Sequence, residues 1–153
     1  MALTATPIFP QTPKSYTATI TNATSTFTIT NIGTSTVTGL VSVATIGTNG
    51  SIIEAINVAS TDSVSHSLVL AFLPTGGVLY LLATVTIPAS SGAVAGTPPV
   101  SLLNSTNIPG TSSDANGNRF LYIPASGLLY VGVLTTAVTS PDVISVVATG
   151  ADF

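Results

Sequence analysis

Cysteine and tryptophan are absent from this chain of 153 residues, which holds one histidine, two basic and five acidic residues. Without cysteine there is neither a disulfide nor a thiolate metal site, and the redox compartment cannot be read from the sequence. Charged residues make up 5% of the chain, where an ordinary soluble domain carries about 25%. The basic residues are Lys14 and Arg119 alone, too few to neutralise a phosphate backbone, which argues against nucleic-acid binding. The absence of Trp, with only four Tyr, lowers the prospect of an aromatic sugar-binding face. What remains for the surface is Thr, Ser, Asn and Gly. With a net charge of −3, self-repulsion is weak, and such a surface favours assembly over solitary existence.

The chain also lacks a convincing helix. Residues 67–88 are uncharged and long enough to span a bilayer as a helix, but Pro74, Gly76 and Gly77 interrupt them, and their flanks are β-branched, which argues against a membrane span. The N-terminus has no basic region followed by an apolar run, so no secretory signal is expected. The length fits one domain. Turn residues punctuate it: Asn49-Gly50, Thr61-Asp62-Ser63 and Pro74-Thr75-Gly76-Gly77 bound three apolar strands over 51–58, 65–73 and 78–87, which read as a β-meander core. Alternation predicts earlier strands over 16–21, 26–30 and 37–46, with Gly39 as a bulge. A loop follows over 88–99, then one helical turn within 100–108 stopped by Pro109-Gly110. Strands over 119–123, 128–134 and 143–149 close the chain. Such a count of eight to nine strands predicts an all-β single domain, a β-sandwich or jelly-roll-like barrel spanning 15–153. Ahead of it, residues 1–14 carry Pro7, Pro10 and Pro13 and form an extended arm.

Candidate chemistry is sparse. Asp114, Asn116 and Asn118 alternate like calcium ligands, yet Gly117 and Arg119 stand where the calcium-loop pattern needs other residues, so a turn is the expectation and no metal is assigned. His66 shares a strand face with Leu68, Leu70 and Phe72. Ser65 and Ser67 flank it, but neither an acidic orienter nor a glycine elbow is evident, so no nucleophile is assigned. No cofactor is expected and the chain is not expected to be an enzyme. Glu54 is the awkward charge, because strand register puts it with Ile52, Ile56 and Val58, and an unpaired buried carboxylate costs several kcal/mol. Either the face with Ile53 and Ala55 points inward, or Glu54 meets Lys14, Arg119 or a neighbouring subunit. The partner-binding candidates are therefore Glu54 and, in the arm, Pro7, Ile8, Phe9 and Pro10.

Several passages together resemble a family of small tailed-bacteriophage and prophage virion proteins of the head decoration, or cement, type. They are Thr6-Pro7-Ile8-Phe9-Pro10-Gln11-Thr12-Pro13-Lys14, Asn49-Gly50-Ser51, Ser60-Thr61-Asp62, Tyr80-Leu81-Leu82-Ala83-Thr84-Val85-Thr86-Ile87-Pro88, Asp114-Ala115-Asn116-Gly117-Asn118 and Gly150-Ala151-Asp152-Phe153. The resemblance spans nearly the whole chain. It implies a structural protein on the outer surface of the capsid, bound to the major capsid protein and clustered as a homo-oligomer, with a trimer as the first expectation. A tail or fibre component and a secreted or surface carbohydrate-binding β-module are the alternatives.

Overall fold

The computed structural model describes residues 12–104, 106–108 and 111–153. Its strands are β1 (Thr12–Thr21), β2 (Leu40–Ile46), β3 (Ser51–Ser60), β4 (His66–Pro74), β5 (Tyr80–Ile87), β6 (Val100–Ser101), β7 (Ser112–Ser113), β8 (Arg119–Ile123), β9 (Gly127–Val133) and β10 (Val143–Asp152). Folded back on itself, the chain pairs β1 with β10, β2 with β9, β3 with β8 and β4 with β5, all antiparallel. That is one long hairpin ribbon. Rolling it up sets β10 beside β3 and β9 beside β4. The products are two sheets, β1-β10-β3-β8-β7 and β2-β9-β4-β5, with β6 added to β3. Between the two expected architectures, the strand order is that of a jelly roll.

This topology corrects the expected meander. The turn residues at Thr61, Asp62 and Ser63 do bend the chain, but β3 belongs to one sheet and β4 to the other. A strand leaving a turn pairs with whichever apolar edge completes its burial, and here β10 claims β3 while β9 claims β4. Only β4 and β5 form a hairpin within the expected trio. Residues 67–88, weighed as a span, are mostly these two strands, and among the described residues no helix is long and apolar enough to cross a membrane.

The core lies between the sheets, with Ile20, Ile144, Val146, Ile53, Ile56 and Val58 from one and Leu68, Leu70, Val85, Ile87, Val131 and Val133 from the other. A second, smaller apolar cluster sits on the far face of the β4 sheet. There Phe27 and Leu79 cover Val69, Ala71 and Tyr130. The expected strand over 26–30 is thus not a strand. Phe27 donates its N–H to the Val133 carbonyl at 2.7 Å, and the chain then makes a 3₁₀ turn at Ile29–Asn31. Residues 22–39 therefore form a cover. The polar-apolar alternation reflected one buried aromatic, not sheet pairing. Gly39 closes this cover at φ +82, where a Cβ would lie 2.6 Å from the Thr26 carbonyl oxygen. Further along, the Ile108 N–H donates to the Asn104 carbonyl at 3.0 Å.

β3 resolves the puzzle of Glu54 with a bulge: Ile53 points inward, as the first alternative expected, but the inward face changes parity beyond Glu54. The register with β10 runs Asn57 to Val147, Ile56 to Ala148 and Ala55 to Thr149, then jumps to Ile53 opposite Gly150. Glu54 is the extra residue of a β-bulge. Before the bulge Ser51 and Ile53 point inward; after it Ile56, Val58 and Ser60 do. The bulge forfeits about one ladder hydrogen bond, worth roughly 0.5–1.5 kcal/mol. Leaving either isoleucine in water would forfeit about 1.5–3 kcal/mol. The bulge wins, and Glu54 faces solvent. Gly150 permits it, because a Cβ there would lie 2.0 Å from the Ile52 carbonyl oxygen. Gly150→Ala is accordingly expected to lower stability by about 2 kcal/mol or more, read as a fall in the urea midpoint. An unchanged midpoint would show that the bulge relaxes without cost.

Candidate functional site

Most of the ionisable groups are engaged in holding loops. Asp62 and His66 are fully buried side chains in contact, His66 Nε2 lying 3.1 Å from Asp62 Oδ2. The same carboxylate accepts the N–H of Val64 at 2.9 Å and of Thr139 at 2.7 Å. His66 Nδ1 is 3.1 Å from the Thr136 carbonyl oxygen. Burial alone would push the Asp62 carboxyl up. The N–H groups of Thr139 and Val64, with His66, outweigh burial and hold it at about 2. The sequence reading found no acidic partner for His66, and the structure corrects this: Asp62 is that partner. The reason it escaped notice is that Asp62 reads as a turn cap and lies off the β4 face. The pair has no solvent access, and the neighbouring Ser65 hydroxyl donates to the Ile87 carbonyl rather than to His66.

Asp152 performs the equivalent task at the opposite end. Its Oδ1 accepts the Ser51 hydroxyl at 2.6 Å and the Tyr16 hydroxyl at 3.2 Å, and Lys14 Nζ stands 3.5 Å from Oδ2. Burial opposes its ionisation, but the Ser51 and Tyr16 hydroxyls and the Lys14 charge keep its carboxyl below the usual range. The Tyr16 phenol is raised in turn, by burial first and then by the Asp152 charge. Asp114 is exposed and caps its own loop. It accepts the N–H groups of Asn116 and Asn118 at 2.9 and 2.8 Å, and the Asn118 side-chain amide at 2.9 Å. These bonds, the Asn118 side chain foremost, hold its carboxyl low. The arrangement is that of a turn, and no cluster of three or more acidic, His or Cys ligands occurs among the described residues.

Two concavities stand out. The larger, about 740 Å³, lies among Thr45, Ile46, Leu73, Pro74, the 75–77 turn and Ser126 to Leu128, and carries no ionisable side chain. The second, about 420 Å³, brings together Ile52 and Glu54 of β3, Arg119 and Phe120 of β8, and Asp114 and Asn118 of the turn between β7 and β8. Of the residues expected to bind partners, Glu54 sits in this groove, while Pro7, Ile8, Phe9 and Pro10 lie outside the described residues. Lys14 pairs with Asp152, and Arg119 Nη1 donates to the Thr111 carbonyl at 3.1 Å. Among the described residues neither forms an ion pair with Glu54 within 4.0 Å. The convergence of Glu54 with Phe120 and Asn118 was invisible in the sequence, because it depends on β3 and β8 being neighbours.

The fold and these sites define a jelly-roll domain whose carboxylates are mostly structural. No family model matches the chain, and no curated protein matches it. Among solved structures, it aligns with a chain described as the cyanophage Pam1 capsid asymmetric unit, at 18% identity and a TM-score of 0.44, over 99% of this chain and 94% of that one.

The Asp62 latch sets an acid limit. The unfolded carboxyl titrates near 3.9 and the folded one at about 2, so between these values the unfolded state binds more protons and stability rises with pH. The contribution is complete above about pH 4 and lost as pH falls toward 2. Asp62→Asn should cost on the order of 3 kcal/mol at pH 7 and flatten this part of the acid limb. Chemical denaturation at a series of pH values measures both. A variant with the same midpoint and the same limb would remove Asp62 from this role.

Proposed function

We propose that the protein is a non-enzymatic structural component of a bacteriophage virion, a head decoration protein bound to the outer surface of the assembled shell. Its partner is the major capsid protein, and it is clustered there as a homo-oligomer, with a trimer as the first assignment. The observation that carries this reading is the use made of the charged groups. Asp62, Asp114 and Asp152 are all engaged in fastening loops, which leaves a rigid, weakly charged body suited to adhesion. The resemblance of the sequence to phage decoration proteins, from Thr6 to Phe153, supports the same reading.

Attachment is assigned to the arm, with Pro7, Ile8, Phe9 and Pro10 meeting the shell, ahead of a domain that carries the remaining residues. Thr12, Pro13 and Lys14 are paired in β1, so the arm is best tested by removing residues 1–11. Binding only to assembled shells adds the binding free energy to shell stability by mass action. The full chain mixed with shells lacking it is expected to co-sediment to a fixed copy number and raise the temperature at which the shells rupture. Removing residues 1–11 should weaken that binding at least ~10-fold, about 1.4 kcal/mol, with the melting temperature of the free protein unchanged. Undiminished binding would exclude the arm. Binding of the full chain to tails rather than shells would transfer the protein to the tail.

A further inference from the structure

Attachment is assigned to the arm, and the chemistry of the groove of Ile52, Glu54, Asp114, Asn118, Arg119 and Phe120 points to a separate ligand. We propose that it binds a neutral saccharide. In a chain with so few charges, a basic and two acidic side chains converge on one concavity of about 420 Å³, within the size range of small-molecule sites. Their positions are fixed by the fold. The β3 bulge turns Glu54 outward, two bonds from Arg119 Nη1 to Thr111 tether the guanidinium, and Asp114 holds Asn118.

The mixture of signs selects the ligand. Glu54 and Arg119 form no ion pair within 4.0 Å among the described residues, so neither is neutralised by the other. An anion would be repelled by Glu54 and Asp114, and a cation, which these two carboxylates attract against the one guanidinium, would find only Glu54 with uncommitted oxygens among the described residues. Asp114 has its oxygens committed to the Asn116 and Asn118 amides, which leaves no free carboxylate cluster to hold a metal. A polyol meets both signs at once. Its hydroxyls donate to the Glu54 carboxylate, which makes no hydrogen bond among the described residues, and its oxygens accept from Arg119. Sugars also present an apolar C–H face. Phe120 and Ile52 line the groove, and Tyr122, opposite Ile52 in the sheet and 54% exposed, extends this wall beside Phe153 at a ring separation of 5.7 Å.

The test is a titration of the isotope-labelled full-length protein, followed by amide NMR shifts, with the methyl glycosides of glucose, galactose, mannose and N-acetylglucosamine. At least one is expected to give saturable shifts at residues 52–54 and 118–122, with Kd on the order of 1 mM. Glu54→Gln, an exposed change, should weaken that binding ~10-fold without shifting the melting temperature. Phe120→Leu should weaken it too. The proposal falls if no glycoside gives saturable shifts to about 50 mM, if the shifts map elsewhere, or if Glu54→Gln leaves the affinity unchanged. Tighter binding of phosphate or calcium ions than of any glycoside in the same groove also overturns it.

Discussion

One buried contact, Asp62 with His66, fastens the loops that let the ribbon roll. Asp62 lies between β3 and β4, its carboxylate takes the Thr139 N–H from the β9–β10 connection, and its carbonyl takes the Ser90 N–H from the chain after β5. His66 adds Thr136. Each of these loops carries the chain from one sheet to the other, and loops of this kind have no ladder to fix them. Burying a carboxylate costs several kcal/mol unless its oxygens are satisfied. Two backbone N–H groups and a ring N–H meet that demand here. Oδ1 takes Val64 while Oδ2 is shared by Thr139 and His66, so one carboxylate ties the connections together. Asp152 holds the other end, where the Ser126 N–H meets the Gly47 carbonyl and the Phe153 N–H meets that of Gly50.

Between these two fastenings, packing decides the rest. β4 is apolar on both faces because it has two covers: the opposite sheet on one side and Phe27 with Leu79 on the other. β3 faces a harder problem, since Ile53 and Ile56 are separated by an odd number of positions and a regular strand would put one of them in water. The bulge at Glu54 solves it, and the backbone of Gly150 makes room. The outward carboxylate in the groove is thus a by-product of core packing. That is how a chain with few charges comes to present one where Arg119 and Phe120 also converge.

Strand positions were largely legible. The limits read from alternation and turn residues for β3, β4, β5, β8, β9 and β10 fall close to those observed, because local pattern and burial agree there. Sheet membership was not legible, since a turn at Asp62 does not reveal which edge the next strand will join. Residues 26–30 misled for a related reason: a single buried Phe27 under a polar cover produces the same alternation as a strand. The parity change at Glu54 depends on Gly150, which lies far along the chain, so sequence order hides it. The Asp62–His66 contact joins residues only four apart and was hidden because Asp62 reads as a turn cap. Pro7 to Pro10 lie outside the described residues, so the arm remains a reading of sequence.

The edge placement of β1 has a mechanical meaning. Thr12 is paired with Asp152, so the start of β1 and the end of β10 lie at the same corner, side by side. In an antiparallel pair pulled from adjacent ends the ladder bonds lie along the force and open one after another, as a zipper does. A tether through residues ahead of Thr12 would therefore deliver its tension first to the Asp152 cluster, with Lys14, Tyr16 and Ser51 as the clasp, before any ladder bond deeper in the sheet could feel it.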